Sequence, residues 1–184
     1  MALNTIPLPY GLRGISLIPF TDAGATTPGT AIDLPYARTL SFGEVEDFDQ
    51  LRGDDSLVAT HGQGPTIEWE LESGGISLDA VKIFMGGTVT TTGSTPNQIK
   101  TYTKSITDVR PYFKIEGQAI SDSGGDLHGK IYRAKMTDKL DGEFGDGVFY
   151  LTKAKGVGLG SLEASIVGKL WDFVQNETAV ALPA

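Results

Sequence analysis

The sequence predicts a mainly β fold, with two packed β-sheets in a sandwich or barrel-like arrangement and one flanking α-helix near residues 77–86. The chain of 184 residues is rich in turn formers, with 24 Gly and 9 Pro. Its apolar residues come in short packets, which is typical of many short strands joined by turns. One helical pattern interrupts this series. At this length we expect a single domain spanning residues 1–184.

The first thirteen residues are expected to form an extended arm. Pro7 and Pro9 each remove a backbone N–H and hold the preceding residue extended. We therefore predict an arm over residues 1–13 rather than a paired strand. The arm has more apolar side chains than a free tail should show, so we expect it to dock on its own subunit or on a neighbour. The side chains assigned to this docking are Leu3, Ile6, Leu8 and Tyr10.

Several short strands are expected before the helix. Residues 15–20, 30–34 and 38–46 have strand-like patterns, the acidic stretch 47–55 is turn-like, and 57–60 is a candidate short strand. The clearest alternation lies at 66–72. There the apolar residues are Ile67, Trp69 and Leu71, and the acidic residues between them are Glu68, Glu70 and Glu72. A period of two places the two sets on opposite faces of a strand.

The helix carries its own start and stop signals. Ser77 is a natural N-cap, Asp79 lies in the first turn, and Gly86 followed by Gly87 predicts the end. We expect Trp69 to pack in the core against the apolar side of this helix. The candidate core residues on that side are Leu78, Val81 and Phe84.

After the helix the pattern returns to strands. Residues 88–97 read as a polar loop or a ragged strand end, and strands are expected at 99–104, 111–120, 127–136 and 169–178. In 111–120, Phe113 and Ile115 are expected inward, with Glu116 and Gln118 outward. Asp122 to Asp126 contains Gly-Gly and predicts a hairpin. A second hairpin is expected around residues 145–147, flanked by 140–144 and 148–153, and 154–168 receives no assignment.

Composition excludes several classes of function. The chain has 15 Lys+Arg against 23 Asp+Glu, and this net charge of -8 argues against nucleic-acid affinity, which depends on neutralising phosphates. The absence of Cys removes disulfides, thiolate zinc sites and thiol nucleophiles. No apolar run approaches the roughly 20 residues of a membrane span, and the N-terminus lacks a secretory pattern.

No catalytic constellation is evident either. The two histidines, His61 and His128, would need carboxylates on turns to complete a metal site, so we expect no metal and no cofactor. No serine lies in a nucleophile-elbow motif. Glutamates that share one face of a strand are more often a solvated or interface surface than a catalytic pair. We therefore expect a protein that is not an enzyme.

Four stretches support a family resemblance. They are LPYARTLSFGEVE at 34–46, GPTIEWELESGGISLDAVKIFMGGTVTTTG at 64–93, RPYFKIEGQAISDSGGDLHGKIYRAKM at 110–136 and DFVQNETAVALP at 172–183. Through them the chain resembles the major tail (tail tube) protein of long-tailed bacteriophages, those with non-contractile tails. The likeness lies in the overall order of arm, strands, acidic strand, capped helix, hairpins and terminal strand.

The resemblance implies a structural role in the virion tail, with assembly in the host cytoplasm. Tail tube proteins form hexameric rings that stack into a hollow tube, and DNA passes through the bore during delivery without specific binding. Implied partners are further copies of the chain and other tail proteins such as the tape measure, tail tip and terminator. The alternatives are an inner-tube protein of a contractile tail-like injection particle and a β-sandwich binding module, which would usually show an exposed aromatic cluster.

Two hypotheses join this implication to the residues. An acidic bore would let DNA slide, whereas a basic one would hold it, and we expect an acidic strand face to line the bore. The candidate residues are Glu44, Glu46, Glu68, Glu70 and Glu72. One alternative is that they form an outward, solvated face. Another is a bore of mixed charge, because Lys114 and Lys130 are expected on adjacent hairpins. The second hypothesis is that residues 1–13 and 47–63 make contacts between rings.

Overall fold

The computed structural model describes residues 6, 8–34 and 36–183. Within them the chain is mainly β, with one short helix. The helix is α1 (Leu78–Met85). The strands are β1 (Pro9–Pro19), β2 (Ile32–Leu34), β3 (Ala37–Val45), β4 (Phe48–Gly53), β5 (Ser56–Gly62), β6 (Thr66–Gly74), β7 (Thr88–Thr92), β8 (Ile99–Thr103), β9 (Phe113–Ser121), β10 (Asp126–Met136), β11 (Leu151–Gly158) and β12 (Trp171–Asn176).

Eight of the described strands form a large sheet that folds back on itself, and β4-β5 and β7-β8 form two separate two-stranded sheets. The order of the large sheet is β2-β1-β9-β10-β11-β6-β3, and β12 also pairs with β10. The first half of β10 pairs with β12 and its last three residues pair with β11, so β10 passes from one layer to the other. At the far end β3 packs over β9, where Leu40 covers the backbone at Gly117. This arrangement confirms the predicted mainly β fold with packed sheets.

The core lies between the layers and extends under the helix. Phe113 is at its centre, with ring centroids 5.7 Å from Trp69 and 5.5 Å from Phe84. Both contacts are edge-to-face, the geometry that aromatic quadrupoles favour. The largest apolar side chains that are completely buried here are Ile15, Leu17, Ile67, Leu71, Phe84, Phe113, Ile115, Ile131 and Met136.

The helix is confirmed with the predicted caps. Ser77 Oγ accepts a hydrogen bond from the Ala80 N–H, which satisfies one of the first-turn donors. Gly86 has a φ of 75° and donates its N–H to the Lys82 carbonyl. A Cβ at Gly86 would also collide with the Val109 carbonyl oxygen, so both backbone angle and space require glycine there.

The predicted N-terminal arm is wrong from residue 9 onward. β1 begins at Pro9 and pairs with β9, with Pro9 opposite Ser121 and Leu12 opposite Ala119. The register shifts twice between Pro9 and Gly14, and Gly11 adopts a φ of 75°. Proline is tolerated at the first residue of a strand and at bulges, which is how this segment accommodates it.

The predicted turn at 47–55 is also wrong. Residues 48–53 form β4, which pairs with β5, and the turn is confined to Asp54 and Asp55, whose φ values are 47° and 62°. Two consecutive positive φ angles are the geometry of a tight hairpin turn, in which Asp is favoured. The acidic composition of 47–55 suggested a turn, but acidic side chains are equally compatible with a solvated hairpin. The stretch 88–92, left open as loop or strand end, is β7 and pairs with β8.

The second predicted hairpin is largely wrong. Its two arms are joined by a single backbone bridge between Asp141 and Lys153 and by a contact between the rings of Phe144 and Tyr150, whose centroids lie 4.7 Å apart, without the strand ladder that a hairpin requires. The partner of β11 is instead β6, along its whole length. The unassigned residues 154–158 belong to this inner strand. The glycines of β11 interrupt its alternation of apolar and polar side chains, because neighbouring side chains occupy the space that a Cβ would take. A Cβ at Gly156 would lie 2.7 Å from Trp69 Cζ2, and one at Gly158 would lie 2.8 Å from Ile131 Cγ2.

Candidate assembly surfaces

The alternation in β6 is confirmed. Ile67, Trp69 and Leu71 are buried, and the glutamates between them lie on the outer face. β6 lies between β3 and β11, so the neighbours on this face come from those two strands. Glu70 is opposite Ser41 on one side and Lys155 on the other, and Glu72 is opposite Thr39 and Lys153.

This outer face carries mixed charges rather than acidic ones alone. Lys155 Nζ lies 3.0 Å from Glu70 Oε2, and Lys153 Nζ lies 3.4 Å from Glu72 Oε2. Arg38 Nη1 lies 2.9 Å from the other oxygen of Glu72. The hydrogen bond and charge of Glu70 raise the pKa of Lys155, so this lysine stays charged. We call these five residues together with Glu68 the charged face.

The expectation that all five candidate glutamates share one face is wrong. β3 is indeed the partner of β6, but the register places Glu44 opposite Ile67, on the other side of the sheet from Glu68. There Glu44 Oε2 accepts a hydrogen bond from Trp171 Nε1 at 3.0 Å. Glu46 lies beyond the end of β3, where its carboxylate accepts from the Gly64 N–H. Glu44 shares its face of β3 with Leu40 and Phe42, and the cross-strand register matches that face to the buried face of β6.

The N-terminal segment is anchored through its backbone and exposes its side chains. The Leu8 N–H donates to Ser121 Oγ at 2.9 Å, and the Leu8 carbonyl accepts from the Asp122 N–H. Yet Ile6 and Tyr10 are each 80% exposed, and Leu8 is also largely exposed. Leu3 lies outside the described residues. Ile6, Leu8 and Tyr10 therefore remain an apolar surface that the described part of this subunit leaves largely exposed.

A second exposed apolar surface is the projecting hairpin, which we define as residues 48–62 with strands β4 and β5. Its strands pair with each other and form a separate two-stranded sheet. Phe48 and Leu57 are on one face by register, and Leu51 is on the other. All three side chains are more than half exposed. Two-stranded hairpins are marginally stable alone in water, so this one is expected to gain order from a partner.

The candidate core residues lie mostly where the sequence places them. Trp69, Val81 and Phe84 are buried, and Leu78 is half-buried at the start of the helix. Trp69 is linked to the helix through the ring of Phe113, which contacts both Trp69 and Phe84. Its indole N–H donates to the Val157 carbonyl at 3.1 Å. A buried Trp of this kind needs such a polar partner.

A polar cluster that sequence reasoning missed lies on the outer face of β9 and β10. Glu116 and Gln118, predicted outward and solvated, are only 6% and 8% exposed. Gln118 is covered by residues 177–183, which we call the C-terminal segment, and its Nε2 donates to the Val180 carbonyl at 2.8 Å. The Glu116 carboxylate is enclosed by His128 and Lys130, each with a nitrogen 2.8 Å from Glu116 Oε1. The sequence did contain a signal for this cluster. Polar residues alternate along both β9 and β10, so that His128 lies opposite Gln118 when the two strands pair.

Asp126 is the hub of this cluster. Its carboxylate accepts hydrogen bonds from Gln118, Asn176, His128 and the Val180 N–H. Burial raises the pKa of Asp126, but these hydrogen bonds together outweigh burial and lower the pKa to about 2. His128 is enclosed, with its other ring nitrogen 2.8 Å from Glu116 Oε1. The cluster fastens the C-terminal segment to the sheet.

A small aromatic cluster lies where the edges of the two layers meet. Phe42 of β3 lies 6.1 Å from Trp171 and 5.4 Å from Phe173, measured between ring centroids. Phe173 is 57% exposed. The carboxylate of Glu44 is adjacent through its hydrogen bond to Trp171.

The described part of the chain contains no group of three or more His, Asp or Glu arranged to hold a metal ion. Within the same residues no helix is long and apolar enough to cross a membrane. No protein-family model and no curated protein sequence matched the chain.

Proposed function

We propose that this chain is a tail tube subunit, a structural virion protein that forms hexameric rings stacking into a hollow tube for DNA delivery. The observation that carries the proposal is the exposure of apolar side chains on segments outside the core. The projecting hairpin and the N-terminal segment each present several of them. Exposed apolar surface of this extent is typical of proteins that bury it in an assembly.

Free strand edges support the ring. Among the described strands, β3 is the last one at one end of the sheet and is nine residues long, and β12 pairs with β10 alone. A long exposed edge is a template for pairing with another chain. When two different edges of identical subunits pair, the contact is heterologous and closes into a ring if the rotation permits.

The charged face is compatible with the wall of a DNA conduit, although its charges are paired rather than purely acidic. Duplex DNA carries about one negative charge per 1.7 Å, so a basic bore would retain it. On the charged face Lys153, Lys155 and Arg38 are each committed to a glutamate. A bore lined by such pairs would offer few free cations to phosphate, so DNA would pass without specific binding.

The other tail proteins, including tape measure, tip and terminator, would meet the ends or the inside of this tube.

The aromatic cluster supports one other function, a β-sandwich binding module. Phe42, Trp171 and the half-exposed Phe173 lie beside the Glu44 carboxylate, and aromatic rings beside a polar group are common in ligand sites. An inner-tube protein of a contractile injection particle shares the tube architecture and would give the same assembly.

Electron microscopy of the purified protein over a range of concentrations tests the proposal. We expect rings of sixfold symmetry and tubes, with light scattering giving a mass that rises with concentration. The Leu51→Asp variant should fold normally but assemble poorly, because Leu51 is 62% exposed in the subunit. Ile99→Asp is the matched control, since Ile99 is equally exposed but lies on β8. A chain that stays monomeric at high concentration, alone and with other virion components, would overturn the proposal.

A further inference from the structure

A groove with an apolar lining lies at one end of the layer formed by β3, β6 and β11. It has a volume of about 820 Å³, and its walls include Tyr36, Val148, Phe149 and Leu151. Phe149 is 94% exposed and Tyr36 is 81% exposed. These side chains come from the residue before β3 and from the segment leading into β11. We call this the end groove.

The projecting hairpin leaves the same layer at its opposite end. β3 runs antiparallel to β6 from Ala37, opposite Ser73, to Val45, opposite Thr66. The end groove adjoins the first of these pairs, and the hairpin follows the second. Eight residue steps along a strand separate the two ends by about 26 Å. Each subunit therefore carries an apolar projection at one end and an apolar recess at the other.

The charges of the two features are complementary. Arg38 is the one charged residue among those described as lining the groove, and its guanidinium remains more than half exposed beside Glu72. The hairpin and its base carry Asp47, Asp49, Asp54 and Asp55 against a single arginine, Arg52. Because Arg38 is already paired with Glu72, the exposed side of its guanidinium adds only a small attraction for the acidic hairpin, and the burial of apolar side chains at the floor of the groove contributes most.

We propose that the end groove receives the projecting hairpin of a second copy of this chain. The inference rests on the proposed function and names the surface on which its stacking hairpin docks. Because projection and recess lie at opposite ends, the contact is heterologous and repeats along an axis rather than closing a pair. Both faces of the hairpin carry apolar side chains, so the groove covers one face and leaves the other for a neighbouring subunit.

The absence of cysteine makes a direct test possible, since introduced thiols are the only ones present. The variants Leu51→Cys and Phe149→Cys are purified separately, mixed in equal amounts under assembly conditions and oxidised. We expect disulfide-linked pairs containing one chain of each variant, identified by mass spectrometry. Leu51→Cys mixed with Ile99→Cys is the matched control, because Ile99 is exposed on β8, away from the groove.

A second measurement separates docking from ring formation. Phe149→Asp should leave unfolding unchanged and rings intact in electron micrographs. It should raise the protein concentration needed for stacking by about tenfold or more, as expected for the loss of an apolar anchor. Tubes that form normally from Phe149→Asp, without disulfides between residues 51 and 149, would overturn this inference and leave the proposed function standing. Failure of the unmodified protein to form rings or tubes would overturn the proposed function itself, and the docking surface with it.

Discussion

The ring of Phe42 in β3 packs directly on the backbone of β10 at Gly129, where a Cβ would lie 3.0 Å from Phe42 Cε1. This contact joins the two layers at the side where the sheet folds over. Phe173 approaches the same glycine, at 3.4 Å from that Cβ position. Gly129 thus makes room for the aromatic cluster that closes one side of the sandwich.

Adding a methyl group at this point should destabilise the subunit. Gly129→Ala pushes Phe42 away by a few tenths of an ångström, and overpacking of this kind costs about 1 kcal/mol or more. Gly43→Ala is the matched control, because a Cβ at Gly43 has no atom within 4 Å and should change the free energy of unfolding little. Denaturant unfolding of both variants checks this, and equal stability of the two would contradict the packing described.

Removal of the Trp69 side chain should be among the costliest single changes. Trp69 packs edge-to-face on Phe113 and is 3% exposed, so Trp69→Ala loses burial and leaves a cavity. The expected loss is about 3–5 kcal/mol in the free energy of unfolding. Trp69→Phe keeps most of the apolar volume and should cost clearly less. A loss below about 1 kcal/mol for the alanine variant would show that Trp69 is not a core residue.

The lowered pKa of Asp126 predicts that the free energy of unfolding depends on pH in the acid range. The pKa of Asp126 is about 2 in the folded chain and 3.8 ordinarily, so its stabilising effect is present above pH 3.8 and is lost as the pH falls toward 2. A shift of this size corresponds to on the order of 2 kcal/mol. Unfolding measured from pH 2 to pH 7 should show Asp126→Asn less stable at neutral pH and converging with the unmodified protein near pH 2. A constant difference across that range would contradict the assignment.

The same substitution should also loosen the C-terminal segment. Asp126 accepts the Val180 N–H and the Asn176 amide, so Asp126→Asn replaces one acceptor oxygen with a donor. We expect faster hydrogen exchange and earlier proteolysis over residues 177–183. Asp146→Asn, in the segment between β10 and β11, is a control that should leave both readouts unchanged. Unaltered exchange in Asp126→Asn would mean that other contacts hold the segment.

The ion pairs of the charged face should contribute little to the stability of the subunit. The side chains of Glu70 and Lys155 are both about half exposed, and exposed pairs couple by roughly 0.2–1 kcal/mol. A double-mutant cycle with Glu70→Gln and Lys155→Met should give a coupling in this range that weakens as salt is raised. A coupling well above it would mean that the face is buried or organised by something other than solvent.

Local patterns were reliable where one segment carried a strong periodicity or clear end signals. The alternation from Ile67 to Glu72 set the two faces of β6, and Ser77 with Gly86 set the ends of the helix, because these depend only on neighbours in sequence. Patterns failed where the deciding partner was distant. Gln118 was predicted to point outward, but the C-terminal segment covers it. The stretch around Gly156 received no assignment, because a glycine stands where the indole of Trp69 occupies the space of a side chain.

The mainly β class, the position of the helix and the acidic strand therefore follow from residue order alone, since backbone dihedral preferences and side-chain periodicity act over a few residues. Which strands pair, and in which register, was decided only by the folded chain. That register placed Glu44 and Glu68 on opposite faces of the sheet. It also placed Lys153 beside Glu72 and Lys155 beside Glu70. The physical reason is that a shift of a single residue along a strand exchanges its two faces, and periodicity within one strand carries no information about its partner.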